Sequence, residues 1–110
     1  RRRFPERCDY ITSPGYIDGP DGREKAGLPV TRPDIFVITD LGVMSIDKAE
    51  GRLRLDKLMP GVSVDQVREN TMFEPLLPPE IVAVVPPSEA VVNTLRHEVD
   101  PGGTYLKAPA

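Results

Sequence analysis

The sequence predicts a fold that mixes β-strands with short helices, and three observations carry that expectation. Residues 52–59, RLRLDKLM, open on a clean alternation of charged and apolar side chains from Arg52 to Leu55, the mark of a half-buried strand. The preceding run, DIFVITDLGVMSID at residues 34–47, is rich in β-branched and apolar residues and leads into the turn-forming DKAEG. Ser63, followed three positions later by Gln66, gives the reciprocal capping pair that opens a helix.

Taken in order, residues 1–7 form a basic lead-in, and residues 9–12 read as a short strand. That strand stops at Thr12-Ser13 and turns through Pro14-Gly15 into Tyr16. Proline fixes φ and glycine admits φ > 0, so Gly15 is expected in the left-handed region. Two hydroxyls before a tight turn and a tyrosine after it leave two readings open. One is a surface turn with Ser13 bonding its own backbone; the other is a turn that meets a ligand. Residues 14–33 form a long loop around DGPDG, in which Leu28 serves as an anchor. The continuous apolar run at residues 35–38 predicts a strand buried on both faces. Gly42 marks a bulge or a close backbone approach.

The strand at residues 52–59 pairs with its predecessor as a hairpin, with Leu53 and Leu55 on one side and Arg52 and Arg54 on the other. Pro60-Gly61 closes it. Ser63 then caps a short helix ending near Asn70-Thr71, and Val62 and Val67 occupy the staple positions around that cap. Asp65 lies in the first turn, where the helix dipole favours an acid. Met72 and Phe73 are placed to enter the core after it. Residues 81–85 lie between prolines and read as an edge strand or an extended arm. Ser88 caps a second helix whose Val91, Val92, Leu95 and Val99 form one apolar stripe, and residues 100–103 end it.

Composition narrows the function. The chain has 110 residues, net charge -3, no tryptophan and 13 prolines. Proline is far above its usual share of about 5%, so loops and arms are extensive and the core is small. Apolar content of 39% is low for a globular domain and fits a chain that buries part of its surface against something else. The weak negative charge argues against nucleic-acid binding. No apolar run approaches the roughly 20 residues of a membrane helix, and RRRFPERCDY lacks the apolar core of a signal peptide. A single cysteine, Cys8, cannot form an internal disulfide and fits a reducing cytosol. The first residue is arginine, and the chain reads as part of a longer one.

No complete catalytic machine is legible from the residues alone. His97 is the only histidine and sits off the apolar stripe, as a solvated helix residue. One cysteine and one histidine make no zinc site by spacing. Asp18 and Asp21 in DGPDG lack the alternating ligands of a calcium loop. Cys8 has arginines nearby, yet its place before an apolar run reads as a buried, inert thiol. No Ser-His-Asp set and no phosphate-cradling glycine loop is present.

Five segments in order carry a further signal: DYITSPGYIDG, REKAGLP, VITDLGVMSID, GRLRLDKLMPGVSVDQVRENT and LRHEVDP. Together they resemble the C-terminal half of the β subunit of class I coenzyme A transferases, the glutaconate branch above all. The likeness is strongest over residues 1–74 and thins through the proline arm. Two departures stand out. Val43-Met44 replaces the family's Val-Phe, and Thr71-Met72-Phe73 lacks the glycine usual after the helix.

The resemblance implies an α/β fold, the C-terminal part of an open, mainly parallel sheet with a β-hairpin and two short helices. Residues 1–74 would complete the β-subunit domain, and residues 75–110 would form a proline-rich arm, helix and tail. It implies transfer of CoA between carboxylic acids through a glutamyl-CoA thioester, a covalent route that divides one hard transfer into two easier ones. The family's nucleophilic glutamate lies in a SENG-like segment of the N-terminal half. No glutamate here matches it, so no catalytic residue and no metal ligand is assigned, and the chain alone is expected to be inactive. Related chains place residues 12–16 shortly after a glycine-rich active-centre segment, which makes Thr12, Ser13, Gly15 and Tyr16 the expected substrate contacts. Coenzyme A enters as thioester substrate, with no separate cofactor. The implied partners are an α subunit, the N-terminal half of the β subunit, an acyl-CoA and a carboxylic acid, in a cytoplasmic hetero-oligomer. Two alternatives share these features: a ring-opening CoA-ester hydrolase, and a non-catalytic assembly module.

Overall fold

The computed structural model describes residues 4–31 and 33–105. The first arginines of the basic lead-in and the end of the tail lie outside the described residues. The framework is a four-stranded sheet in the order β1-β2-β3-β4, formed by Phe36–Ile38, Gly42–Asp47, Arg52–Leu58 and Val82–Ala83. Among the described residues, three helices accompany it: α1, Gly22–Lys25; α2, Val64–Asn70; and α3, Glu89–Thr94, which runs on as a π-helical turn over Leu95–Val99. The α/β class holds, but the sheet here is mixed. The β1-β2 and β2-β3 pairs are antiparallel and only β3-β4 is parallel.

The β2-β3 hairpin forms as its pattern requires. Asp47 turns the chain by accepting the N–H groups of Ala49 and Glu50 on one carboxylate oxygen, each at 3.0 Å. Gly51 completes the turn at φ 63°. Register pairs Met44 with Leu55 and Ser45 with Arg54, so the leucines face the core and the arginines face away. Gly42 answers to close approach: a β-carbon there would stand 2.6 Å from the Lys57 carbonyl oxygen. The bulge falls just beyond it, between Val43 and Met44.

Residues 34–47 are two strands, not one. Thr39 folds the run back on itself, its hydroxyl accepting the N–H groups of Leu41 and Gly42 at 3.1 Å each. Its own N–H donates to the Gly42 carbonyl at 3.0 Å. β1 thereby becomes an edge strand, and alternation exposes every second residue. Phe36 and Ile38 are 64% and 72% exposed, so the expected burial on both faces does not occur within the described residues. Residues 9–12 form no strand either; they lie exposed beside the loop with no ladder partner among the described residues. The loop at residues 14–33 contains the short helix α1, and Leu28 in it is half-buried.

The α2 cap is as the sequence requires. Ser63 Oγ accepts the Gln66 N–H at 3.2 Å, and Gln66 Oε1 accepts the Ser63 N–H at 2.8 Å. This orients Val67 into a core of three fully buried side chains, Met44, Leu55 and Val67, with Val62, Leu53 and Ile81 packed around them. Met72 departs from expectation and is 52% exposed. The chain leaves α2 extended at Thr71, whose hydroxyl ties back to the Val67 carbonyl at 3.1 Å. β4 is the expected edge strand, joined to β3 through Lys57–Val82 and Leu58–Ala83.

Ser88 caps α3, accepting the Val91 N–H at 3.4 Å. The apolar stripe behind that cap is open: Val91, Leu95 and Val99 are exposed. Asp100, buried at the end of the π-helical turn, accepts the N–H groups of Thr104 and Tyr105 and stops the helix.

Candidate functional site

The turn at residues 12–16 is shaped by what lies behind it. Thr12 and Ser13 are exposed. Tyr16, by contrast, is only 4% exposed, with its hydroxyl donating to the Pro33 carbonyl at 3.4 Å. The turn therefore presents hydroxyls outward and anchors itself with an aromatic ring. Gly15 is not in the left-handed region; the positive φ values fall on Ile17, at 67°, and Gly19, at 74°. The reversal thus comes two residues later than Pro14-Gly15 implies. A β-branched residue at φ 67° is strained, by roughly 1–3 kcal/mol.

Arg23, on α1, holds the Pro14 and Gly15 backbone. Its Nη1 donates to the Pro14 carbonyl at 2.8 Å and to the Gly15 carbonyl at 3.0 Å, while Nε donates to the Pro29 carbonyl at 2.8 Å. Gly22 is buried, and a β-carbon there would collide with the Tyr16 carbonyl oxygen, so no side chain fits at this position. Gly51 packs its backbone against Gly19 and Pro20, which seats the loop on the tip of the β2-β3 hairpin.

A second polar constellation lies on the sheet face opposite the core, along a cleft of roughly 320 Å³. Arg54 donates to Asp56 at 2.8 Å, to Asp47 at 3.1 Å and to Ser45 at 3.4 Å. Lys48 pairs with Asp34 at 2.7 Å. The Glu50 and Ala49 N–H groups, aided by Arg54, hold the Asp47 carboxyl below its ordinary value of 3.8. Asp34 holds the Lys48 ammonium above its ordinary value. Both cations are already matched by carboxylates, so the cleft braces the hairpin rather than offering free charge. The sequence signalled it only through the outward arginines.

The remaining candidates disperse. Cys8 is exposed, not buried, because residues 9–12 supply no strand to cover it. His97 is exposed on the π-helical turn. No helix among the described residues is long and apolar enough to cross a membrane.

No family model matches the chain. By sequence and fold, however, the chain is homologous to the B subunits of CoA-transferases. It is 40% identical over 109 residues to the B subunit of glutaconate CoA-transferase from Acidaminococcus fermentans, a match covering 99% of this chain and 41% of that protein. It is 33% identical over 95 residues to the B subunit of 3-oxoadipate CoA-transferase from Pseudomonas knackmussii, covering 86% of this chain and 36% of that one. The crystal structure of glutaconate coenzyme A-transferase from A. fermentans superposes with TM-score 0.87 at 41% identity, over 98% of this chain and 41% of its counterpart. An acyl-CoA transferase from E. coli O157:H7 shares the fold at TM-score 0.53 and 23% identity, over 74% of this chain and 14% of that one. The chain thus spans about two fifths of the length of the curated relatives it matches.

Proposed function

We propose that this chain is a segment of a CoA-transferase β subunit that moves coenzyme A between carboxylic acids. The single observation that carries this reading is the agreement of sequence and fold with the glutaconate enzyme: 40% identity across 99% of the chain and a TM-score of 0.87. The nucleophile is a glutamate outside these 110 residues. Its carboxylate attacks the acyl-CoA carbonyl and expels CoA thiolate. The thiolate then attacks the glutamyl carbonyl of the resulting anhydride, releasing the donor carboxylate and leaving a glutamyl-CoA thioester. The acceptor carboxylate runs the same two steps in reverse to leave as its own CoA ester. This segment contributes the braced turn at residues 12–16. Thr12 and Ser13 offer hydroxyl donors to the carboxylate or thioester oxygen, Gly15 keeps the backbone low, and Tyr16 anchors the turn from inside. The partners are the N-terminal half of the β subunit and an α subunit, and the compartment is the cytoplasm.

Exposed Phe36 and Ile38 on β1, and Val91, Leu95 and Val99 on the last helix, favour such partners. Single exposed apolar residues are ordinary, but rows on a strand and a helix mark surfaces made to be covered. The experiment is a CoA-transfer assay with Ser13→Ala and Thr12→Ala introduced into the complete enzyme. Each variant is expected to raise KM for acyl-CoA. An unchanged KM in the double variant would remove the turn from the site.

A further inference from the structure

We infer that Arg23 is the positioning residue of this site, setting the path of the turn at residues 12–16 from the far side of the loop. The inference rests on the reading of that turn as a substrate contact. Residues 14–33 contain Pro14, Pro20, Pro29 and Pro33, and each proline removes a backbone N–H. The loop therefore has more carbonyls than it has donors, and the strand ladder starts only at Phe36. Arg23 supplies the donor to the Pro14 and Gly15 carbonyls, and it is a second donor to the Pro29 carbonyl, which also accepts the Thr31 N–H at 2.9 Å. Its planar guanidinium bonds the carbonyls of Pro14 and Gly15 on one arm and of Pro29 on the other. A planar fork holds its donors in a fixed relation between the two arms, whereas an ammonium carries three rotatable donors on a flexible stem and fixes no such geometry.

Arg23 is itself fixed in place. Gly22, beside it, packs under the Tyr16 carbonyl, and Gly19-Pro20 rests on Gly51 of the hairpin. The geometry runs from hairpin to α1, from α1 through the guanidinium to Pro14-Gly15, and so to Ser13. Arg23 acts on Thr12 and Ser13 through the backbone between them and itself.

The test uses the complete enzyme with Arg23→Lys, Arg23→Ala and, as an independent probe of the site, Ser13→Ala. Two quantities are measured: amide hydrogen exchange across residues 12–29, and KM and kcat for acyl-CoA. Both Arg23 variants are expected to exchange faster in that segment and to raise KM about tenfold, with a smaller change in kcat. Lysine is expected not to rescue, because it lacks the fork. A merely structural role would lower the yield of active enzyme and leave KM alone. Unchanged exchange in both Arg23 variants overturns the clamp. Faster exchange with unchanged KM, while Ser13→Ala raises KM, overturns positioning and leaves the site standing. Should Ser13→Ala and the Arg23 variants all leave KM unmoved, the site reading fails and this inference falls with it.

Discussion

Ser63 and Gln66 exchange hydrogen bonds across the start of α2, and that pair orients the helical side chain in the fully buried core, Val67. Ser63→Ala removes one acceptor and leaves the Gln66 N–H to water. It should cost about 1 kcal/mol in a denaturant titration. A second residue-scale prediction concerns Asp47. Its pKa is lowered in the folded state, mainly by the Glu50 and Ala49 N–H groups. A depressed carboxylate pKa contributes stability above the unfolded value and loses it as pH falls through the folded value. The stability gap between the native chain and Asp47→Asn should therefore be present at neutral pH. It should close as the pH drops below 3.8, the ordinary value. Thermal melts across that range measure it; a gap independent of pH would deny Asp47 its charged role.

The β2-β3 hairpin shows what the sequence discloses and what it conceals. Its register was legible because the alternation of Arg52, Leu53, Arg54 and Leu55 admits only one buried side. The α2 cap was legible because capping is local chemistry. The break at Thr39 was not, because an apolar run from residue 35 onward looks the same whether it continues or folds back. The deciding bonds, in which the Leu41 and Gly42 N–H groups donate to the Thr39 hydroxyl, belong to a turn without proline. Gly15 misled for a related reason: Pro-Gly permits a left-handed residue but does not require one once Arg23 holds both carbonyls. Arg23 and Gly51 act between elements, and single-sequence patterns carry no signal for that. At this scale, Gly51→Ala should destabilise the chain by roughly 1–3 kcal/mol, since a β-carbon meets the backbone of Gly19 and Pro20 at a position already at φ 63°. Hydrogen exchange should show residues 17–22 loosened in the same variant. Leu55→Ala, at the centre of the small core, should cost about 2–5 kcal/mol in the same titration.

At the scale of the whole molecule, the radius of gyration is 17.3 Å and the long axis 50 Å. A compact chain of this length has a radius near about 13 Å. The difference fits an arm laid out for contacts beyond itself, with exposed Phe36, Ile38, Val91 and Leu95 as the surfaces available. The same extended course is found in the glutaconate enzyme across 98% of the chain. A segment of this form is expected to be marginally stable alone and to gain stability from its partners by mass action. The most direct measurement is CoA transfer from an acyl-CoA to a carboxylate, catalysed either by the purified 110-residue chain or by the same chain within the complete β subunit paired with an α subunit. Turnover is predicted only in the second. Turnover by the isolated chain, or none by the complete assembly, would contradict the assignment.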